Sequence, residues 1–149
     1  MIDKLKIYDA CLLNIEKRIQ SIQEALDAAI AAGNEETKSS VGDKYETGRA
    51  MMQMEQNKHQ AQLDKAMVLK NELLQINLNK KYGIVEKGAL VATDAGYYFI
   101  ATSIGKIIID ENTVYAISLD APLAKAFIGK KESDTAFFQD KKYTIKKLL

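Results

Sequence analysis

The chain has 149 residues, enough for one domain or two small ones. Its 21 Lys and Arg nearly balance its 20 Asp and Glu, so a basic nucleic-acid-binding protein is not indicated, and we expect nucleic acid to be contacted only through a partner. The single cysteine, Cys11, excludes an intramolecular disulfide and a cysteine-based zinc cluster.

Residues 1–80 have the pattern of two long helices. In the first, apolar residues recur at alternating spacings of three and four, as in a coiled coil. This stripe stops at Gly33, a residue type that often follows a helix end. A second helix is predicted from Ser40, where residues 40–43 resemble a capping box, to about Leu78. The first stripe comprises Leu5, Tyr8, Leu12, Ile15, Ile19, Ile22, Leu26 and Ala29.

The second helix has a poorer apolar pattern than the first. One seam is possible, but Met51, Met54 and Met67 allow other registers. Two helices joined by a short polar link bury their stripes by folding back on each other, which predicts an antiparallel coiled-coil hairpin. Its polar tip lies near residues 33–43. The seam on the second helix comprises Met52, His59, Leu63, Ala66 and Leu73.

Residues 83–149 have the composition of a small sheet domain. Two predicted strands flank the turn at residues 94–96, and two more flank residues 110–112. A short helix begins at Pro122 and ends at Gly129, and a last hairpin turns at residues 140–141. Five or six strands with one short helix predict an α+β fold, with a helical domain at 1–80 and a sheet domain at 83–149.

The segment "ISLDAPLAKAFIGKKESDTAFF", residues 117–138 and called the signature segment below, resembles a family signature. It is similar to the C-terminal signature of the Gre-type (GreA/GreB family) bacterial transcription elongation factors. Pro122 stands at the helix start, residues 129–131 (Gly-Lys-Lys) are intact, and Ser133-Asp134 replaces a Gly-Asp pair. The family has a coiled-coil hairpin followed by an FKBP-like domain. The resemblance implies this fold without prolyl isomerase activity.

The family's function supplies further expectations. Gre factors dock their C-terminal domain at the secondary channel of RNA polymerase, and the hairpin carries an acidic tip to the active centre. There, carboxylates help hold a catalytic Mg²⁺, so the polymerase cleaves its own backtracked RNA. The resemblance implies bacterial RNA polymerase as the partner. It also implies no enzymatic activity of the protein's own, and no cofactor beyond Mg²⁺ shared with the polymerase. The docking candidates are Lys125, Lys130 and Lys131.

The tip leaves two alternatives open. Asp43 and Glu46 form an Asp-x-x-Glu pair that a helix would place on one face, about 5–6 Å apart at Cβ. They are candidate catalytic residues sharing one Mg²⁺, or simply acids favoured by a helix N-terminus. An alignment on Tyr45 and Arg49 instead leaves no acids at the family's acid positions and removes the cleavage chemistry. The candidate tip contacts are Lys38, Lys44, Tyr45 and Arg49.

Two other classes of function compete with this interpretation. A small-molecule enzyme such as an acyl-chain condensing enzyme needs an activated Cys with His partners, and the chain offers only Cys11 and His59. We expect both to be structural. A coiled-coil interaction module that dimerises through the hairpin remains the alternative, although we expect a monomer. No apolar run of about 18 residues and no signal peptide is present, so we expect a cytoplasmic protein without a membrane partner.

Overall fold

The computed structural model describes residues 2–39 and 42–149, and their side chains except those of residues 36–46. None of the described helices combines the length and apolar character needed to cross a bilayer. The elements are α1 (Lys4–Ser39), α2 (Gly42–Leu74), β1 (Leu90–Thr93), β2 (Gly96–Ile100), β3 (Gly105–Ile109), β4 (Asn112–Ile117), α3 (Pro122–Phe127), β5 (Thr135–Phe138) and β6 (Lys141–Leu148).

The six strands of the described chain form one mixed sheet in the order β3-β4-β2-β1-β6-β5. Strands β2 and β4 pair in parallel, and every other neighbouring pair is antiparallel. Two long helices followed by this sheet make the protein α+β, which confirms the predicted fold class at that level. The coiled-coil hairpin and the FKBP-like character of the sheet stay predictions.

The chain divides into two compact units. One contains residues 1–14 and 69–149 and is called the sheet unit. The other contains residues 15–68 and is called the helical unit. Helices α1 and α2 therefore each contribute to both units. The boundaries of the predicted domains at 1–80 and 83–149 differ from those of the compact units, and the division into these two domains stays a prediction.

Helix α3 covers one face of the sheet. Its buried side chains Ala124 and Phe127 pack with Tyr98, Ile100 and other buried residues of the strands. The Phe127 ring lies 5.2 Å from the Tyr98 ring and 5.5 Å, edge to face, from the Tyr143 ring, between centroids. Such tilted and perpendicular aromatic pairs are favourable beyond the apolar area that they bury.

The opposite face of the sheet is buried as well. Leu90 and Phe99 are register partners in β1 and β2, are fully buried, and lie outside the cluster around Phe127. Hydrogen bonds attach the helix ends of the same unit to the sheet region. Thr102 Oγ1 donates to Glu72 Oε2 at 3.0 Å, and Lys4 Nζ donates to the backbone oxygen of Leu149 at 2.9 Å.

The start of α1 departs from the predicted heptad stripe. Leu5 is 51% exposed, whereas Ile7, Cys11 and Ile15 are fully buried. The first 14 residues belong to the unit that contains the sheet. The buried residues Ile7, Cys11 and Ile15 are spaced by four, and this spacing replaces the alternating spacing of three and four at the start of α1. From Ile15 onward the predicted stripe agrees with the burial, since every later member is buried or half-buried.

Gly33 does not end α1, which continues to Ser39. A Cβ at Gly33 would lie 2.8 Å from Gln56 Nε2 and 3.5 Å from Met52 Cβ, so the glycine allows α2 to approach closely. Gln56 Nε2 donates to the Ala29 oxygen at 3.4 Å. The predicted C-terminal cap is therefore wrong, because Gly33 lies inside the helix and faces α2.

Helix α2 uses the seam predicted for it. Ala66 and Leu73 are buried and the other seam members are half-buried, whereas Met51, Met54 and Met67 are exposed. The alternative registers are thereby excluded. The helix ends at Leu74 and not near Leu78, because the chain enters turns from residue 75 onward.

Candidate functional site

The polar tip can be located only by its backbone. Helix α2 starts at Gly42, which places Asp43 and Glu46 among its first five residues. Their side chains, and those of Lys38, Lys44 and Tyr45, lie outside the described part of the structure. The shared Mg²⁺, the helix-dipole interpretation and the choice between the two alignments therefore stay predictions.

Arg49 is the tip candidate whose side chain is described. It is exposed and lines a polar cavity of about 190 Å³ in the helical unit. The guanidinium and the side-chain amides of this cavity are hydrogen-bond donors, a set that suits a phosphate or carboxylate oxygen. The other residues that line the cavity are Gly33, Asn34, Gln53 and Gln56.

A preformed metal centre is not found among the described side chains. No three His, Cys, Asp or Glu residues among them lie close enough together to hold a metal ion. Because Asp43 and Glu46 are outside that set, the predicted Mg²⁺ pair at the tip is not tested by this finding.

The signature segment contains α3. Pro122 occupies the first turn of the helix, where its missing N–H has no intrahelical partner to lose. After the helix, Gly129 has a left-handed backbone with φ +79°. Its N–H donates to the Val85 oxygen at 2.9 Å, and the Val85 N–H donates to the Lys130 oxygen at 2.8 Å. These two bonds hold the end of the helix against the segment that precedes β1.

The loop after Gly129 is also tightly bonded. Asp134 Oδ2 accepts the Lys131 N–H at 2.8 Å, and the Asp134 N–H donates to the Lys131 oxygen at 3.1 Å. Ser133 has φ +75°, and its N–H donates to the Ile145 oxygen at 2.8 Å. Hydrogen bonds therefore hold this loop of the signature segment to β6.

The three docking candidates lie on α3 and on the loop that follows it. Lys125 and Lys131 are exposed and Lys130 is half-buried. Among the described residues, none of the three ammonium groups takes part in an ion pair. Ile128, at the end of α3, is an exposed apolar neighbour in sequence. Unpaired cations on a rigid backbone, with one apolar side chain, suit an acidic partner surface.

A cavity around Tyr82 was not predicted from the sequence. It has a volume of about 540 Å³. Lys4 Nζ lies 4.4 Å from the Tyr82 ring centroid, and burial lowers the pKa of Lys4 to about 8. A Cβ at Gly88 would lie against the Tyr82 hydroxyl, so this glycine leaves room for the ring. The contact joins residues 78 positions apart, and no local sequence pattern indicates it.

Cys11 and His59 each have surroundings that fit a structural role. Burial raises the pKa of the Cys11 thiol to about 12, so the nucleophilic thiolate is disfavoured at neutral pH. His59 Nε2 lies 3.0 Å from Glu55 Oε1, one turn away on α2, and Cys11 and His59 belong to different compact units. The structural roles expected for both residues agree with this geometry.

Comparison with known proteins adds little to this description. No family model and no curated protein matches the chain. A solved structure described as that of the transcription factor Gfh1 matches over 93% of this chain and 93% of that chain, with 14% identity and a TM-score of 0.40. A likeness at this TM-score and identity shows neither a family nor a function.

Proposed function

We propose that this protein is a regulator of bacterial transcription elongation that binds RNA polymerase in the manner of the Gre-type factors. Its FKBP-like C-terminal domain docks at the secondary channel, and its coiled-coil hairpin carries the polar tip to the active centre. The protein acts in the cytoplasm, contacts nucleic acid only through the polymerase, and is not itself an enzyme. At most it stimulates cleavage of RNA by the polymerase, with Mg²⁺ shared at that active site.

The observation that carries this proposal is the backbone of the signature segment. Gly129 and Ser133 both have left-handed conformations, with φ of +79° and +75°. Glycine adopts this conformation without strain, and a serine rarely adopts it. Ser133 stands where the family signature has glycine. Its backbone nevertheless has the left-handed conformation that glycine adopts easily. A left-handed backbone at this position therefore supports the resemblance.

The two long helices support the second part of the proposal. Helix α1 has 36 residues and α2 has 33, and two residues separate them. At 1.5 Å per residue, an α-helix of this length extends for about 50 Å. Such an arm buries little apolar surface for its length, which is explained if it serves to reach a distant site.

We favour the regulatory version, in which the tip occupies the channel without stimulating cleavage. The alignment that keeps Tyr45 and Arg49 leaves no acids at the family's positions. The exposed Arg49 beside a polar cavity supplies donors for phosphate or carboxylate oxygens. In this version the tip contacts the polymerase through cations and amides.

Docking is tested by capture of the full chain with bacterial RNA polymerase. Reversing the charges of Lys125, Lys130 and Lys131 to Glu should weaken binding at least ten-fold and reduce its salt dependence. The matched control reverses Lys87, Lys142 and Lys146, which are also exposed and lie in the same compact unit. Equal binding by both triple variants would contradict docking through the signature segment.

The tip is tested on stalled transcription complexes. Under the regulatory version, the wild-type protein slows nucleotide addition and stimulates no Mg²⁺-dependent cleavage. The double variant Asp43→Asn, Glu46→Gln should then behave like the wild type. Cleavage by the wild type that is lost in the double variant, with polymerase binding unchanged, would instead establish the cleavage-competent version.

A polymerase-independent interaction module is the second candidate. Met51 and Met54 on α2 are 60% and 70% exposed, and exposed Met side chains adapt readily to partner surfaces. Under this alternative the arm itself forms a stable dimer, which light scattering at micromolar concentration would detect. A dimer lost in the Met51→Lys, Met54→Lys variant, with no capture of polymerase, would favour this candidate.

A further inference from the structure

Strand β3 (Gly105–Ile109) is an edge of the described sheet with an apolar sequence. It pairs with β4 on one side, and no described strand pairs with its other side. Ile108 is 67% exposed, and Lys106 is exposed as well. Exposed apolar edge strands are templates for pairing with another strand, and proteins usually protect them.

The turn after β3 determines which backbone groups point outward. Asp110 and Glu111 have φ of +48° and +67°, as in a two-residue type I′ turn. In such a hairpin, the residues flanking the turn, Ile109 and Asn112, exchange both backbone hydrogen bonds. The bonding direction alternates along an antiparallel strand, so Ile107 also bonds to β4. The backbone N–H and C=O groups of Lys106 and Ile108 therefore point away from the sheet.

We propose that β3 pairs antiparallel with β3 of a second copy of this chain, about a two-fold axis at Ile108. In this register Ile108 exchanges two backbone hydrogen bonds with the partner's Ile108. The two exposed isoleucine side chains then face each other across the axis. On each side of the axis, Lys106 lies opposite the partner's Asp110, the turn residue just beyond the end of β3, so their side chains of opposite charge come together.

The alternative registers conflict with the side chains. A two-fold axis at Lys106 would place two lysines opposite each other, and like charges directly opposite are unfavourable. An axis at Ile107, between Lys106 and Ile108, would place each Ile108 opposite the partner's Lys106. An axis at Ile109 would place each Ile108 opposite the partner's Asp110. Only the axis at Ile108 pairs apolar with apolar and cation with anion. Edge lysines normally prevent strand pairing, but in this register Lys106 favours it.

The charges needed for this register are accessible. Among the described residues, Lys106 takes part in no ion pair. Asp110 Oδ2 accepts from Lys6 Nζ at 3.2 Å, and both side chains are largely exposed. The second carboxylate oxygen, Oδ1, can accept from the partner's Lys106 while the bond to Lys6 remains.

The proposed contact is small, so the dimer is weak. A strand of five residues buries less than about 1,200 Å², the range of transient complexes. We expect a dissociation constant on the order of 100 µM, so the chain is a monomer at low micromolar concentration. The dimer therefore matters only where a high local concentration brings two copies together.

The test is sedimentation equilibrium of the full chain, from about 10 µM to about 1 mM. Ile108→Lys should abolish dimerisation, since it places two cations on the axis. The matched control is Phe137→Lys on β5, the opposite edge strand, where the side chain is equally exposed. The control should dimerise like the wild type.

A charge-exchange pair tests the register. Lys106→Glu alone and Asp110→Lys alone should each raise the dissociation constant at least ten-fold. A mixture of the two variants should form a heterodimer at the wild-type concentration, because both cross-strand pairs are then of opposite charge. Circular dichroism verifies that both variants are folded.

Three results would overturn the proposal. The first is a wild-type chain that stays monomeric at about 1 mM. The second is a dimer that survives Ile108→Lys. The third is a pair of folded charge variants that fail to associate when mixed.

Discussion

Replacing Gly33 with Ala distinguishes two structural roles for this glycine by the sign of one measurement. In the structure Gly33 lies inside α1 and faces α2. Alanine is favoured over glycine inside a helix by about 0.8–1.0 kcal/mol. If Gly33 instead ended the helix in a left-handed conformation, alanine would be unfavourable by about 1–2 kcal/mol.

The contacts around Gly33 determine how much of the free energy that favours alanine in a helix remains in the folded protein. The new Cβ would lie 2.8 Å from Gln56 Nε2, the mobile end of a flexible side chain, and 3.5 Å from Met52 Cβ, an ordinary contact. Moving the Gln56 amide sacrifices its 3.4 Å bond to the Ala29 oxygen, which at that length is worth at most about 0.5 kcal/mol. We therefore expect Gly33→Ala to raise the free energy of unfolding by about 0.3–1 kcal/mol.

The assay is urea unfolding of the full chain, followed by circular dichroism at the helix minimum. Gly129→Ala is the control, because Gly129 has φ +79° and no heavy atom near the added Cβ. It isolates the conformational effect, and we expect a loss of about 1–2 kcal/mol. A loss of about 1 kcal/mol or more for Gly33→Ala would refute the expectation that a continuous helix accommodates alanine while the Gln56 amide moves aside at little cost.

The remaining predictions concern the sheet unit. Ser133→Gly should raise the free energy of unfolding by up to about 1 kcal/mol, since it relieves a left-handed serine, and thermal unfolding would measure this. Phe127→Ala should lower it by about 3–5 kcal/mol by opening a cavity beneath α3, measured in the same way. The pKa of Cys11 is raised from 9.0 to about 12 in the folded chain, so the stability that it contributes is present below pH 9 and is lost as the pH rises toward 12. Urea titrations in that range should show a weaker pH dependence for Cys11→Ala than for the wild type, and equal slopes would contradict the burial of the thiol.

Local signals in the sequence predicted most of the sheet unit. Asp110, a residue type favoured in turns, lies with Glu111 between two apolar runs, and the positive φ values of both are those that a two-residue hairpin turn requires. Pro122 and Gly129 bracket α3 for reasons that act within a few residues. These elements depend on the conformational preferences of single residues, so the sequence alone identifies them.

The errors arose where distant parts of the chain determine the structure. A glycine at the end of an apolar stripe fits a helix cap as well as a close helix contact, and only the position of Gln56 distinguishes the two. Leu5 fits the heptad spacing but is exposed, because Ile7 and Cys11 are the side chains that are buried in the sheet unit. The approach of Lys4 to Tyr82 likewise has no local signal. Periodicity indicates that a helix has an apolar face, and it does not identify what covers that face.

The division of α1 between two units also determines which form of the protein should be used to test docking. Leu90 and Phe99 are fully buried on the face of the sheet opposite α3, in a unit that includes residues 1–14 and 69–74 of the two long helices. A fragment beginning near Tyr82 lacks these helix ends. Exposing two such side chains would cost about 3–6 kcal/mol, a large part of the stability of a small domain. Loss of polymerase binding by that fragment would then reflect unfolding, whereas loss of binding by the Lys125, Lys130 and Lys131 variant of the full chain would identify the docking surface.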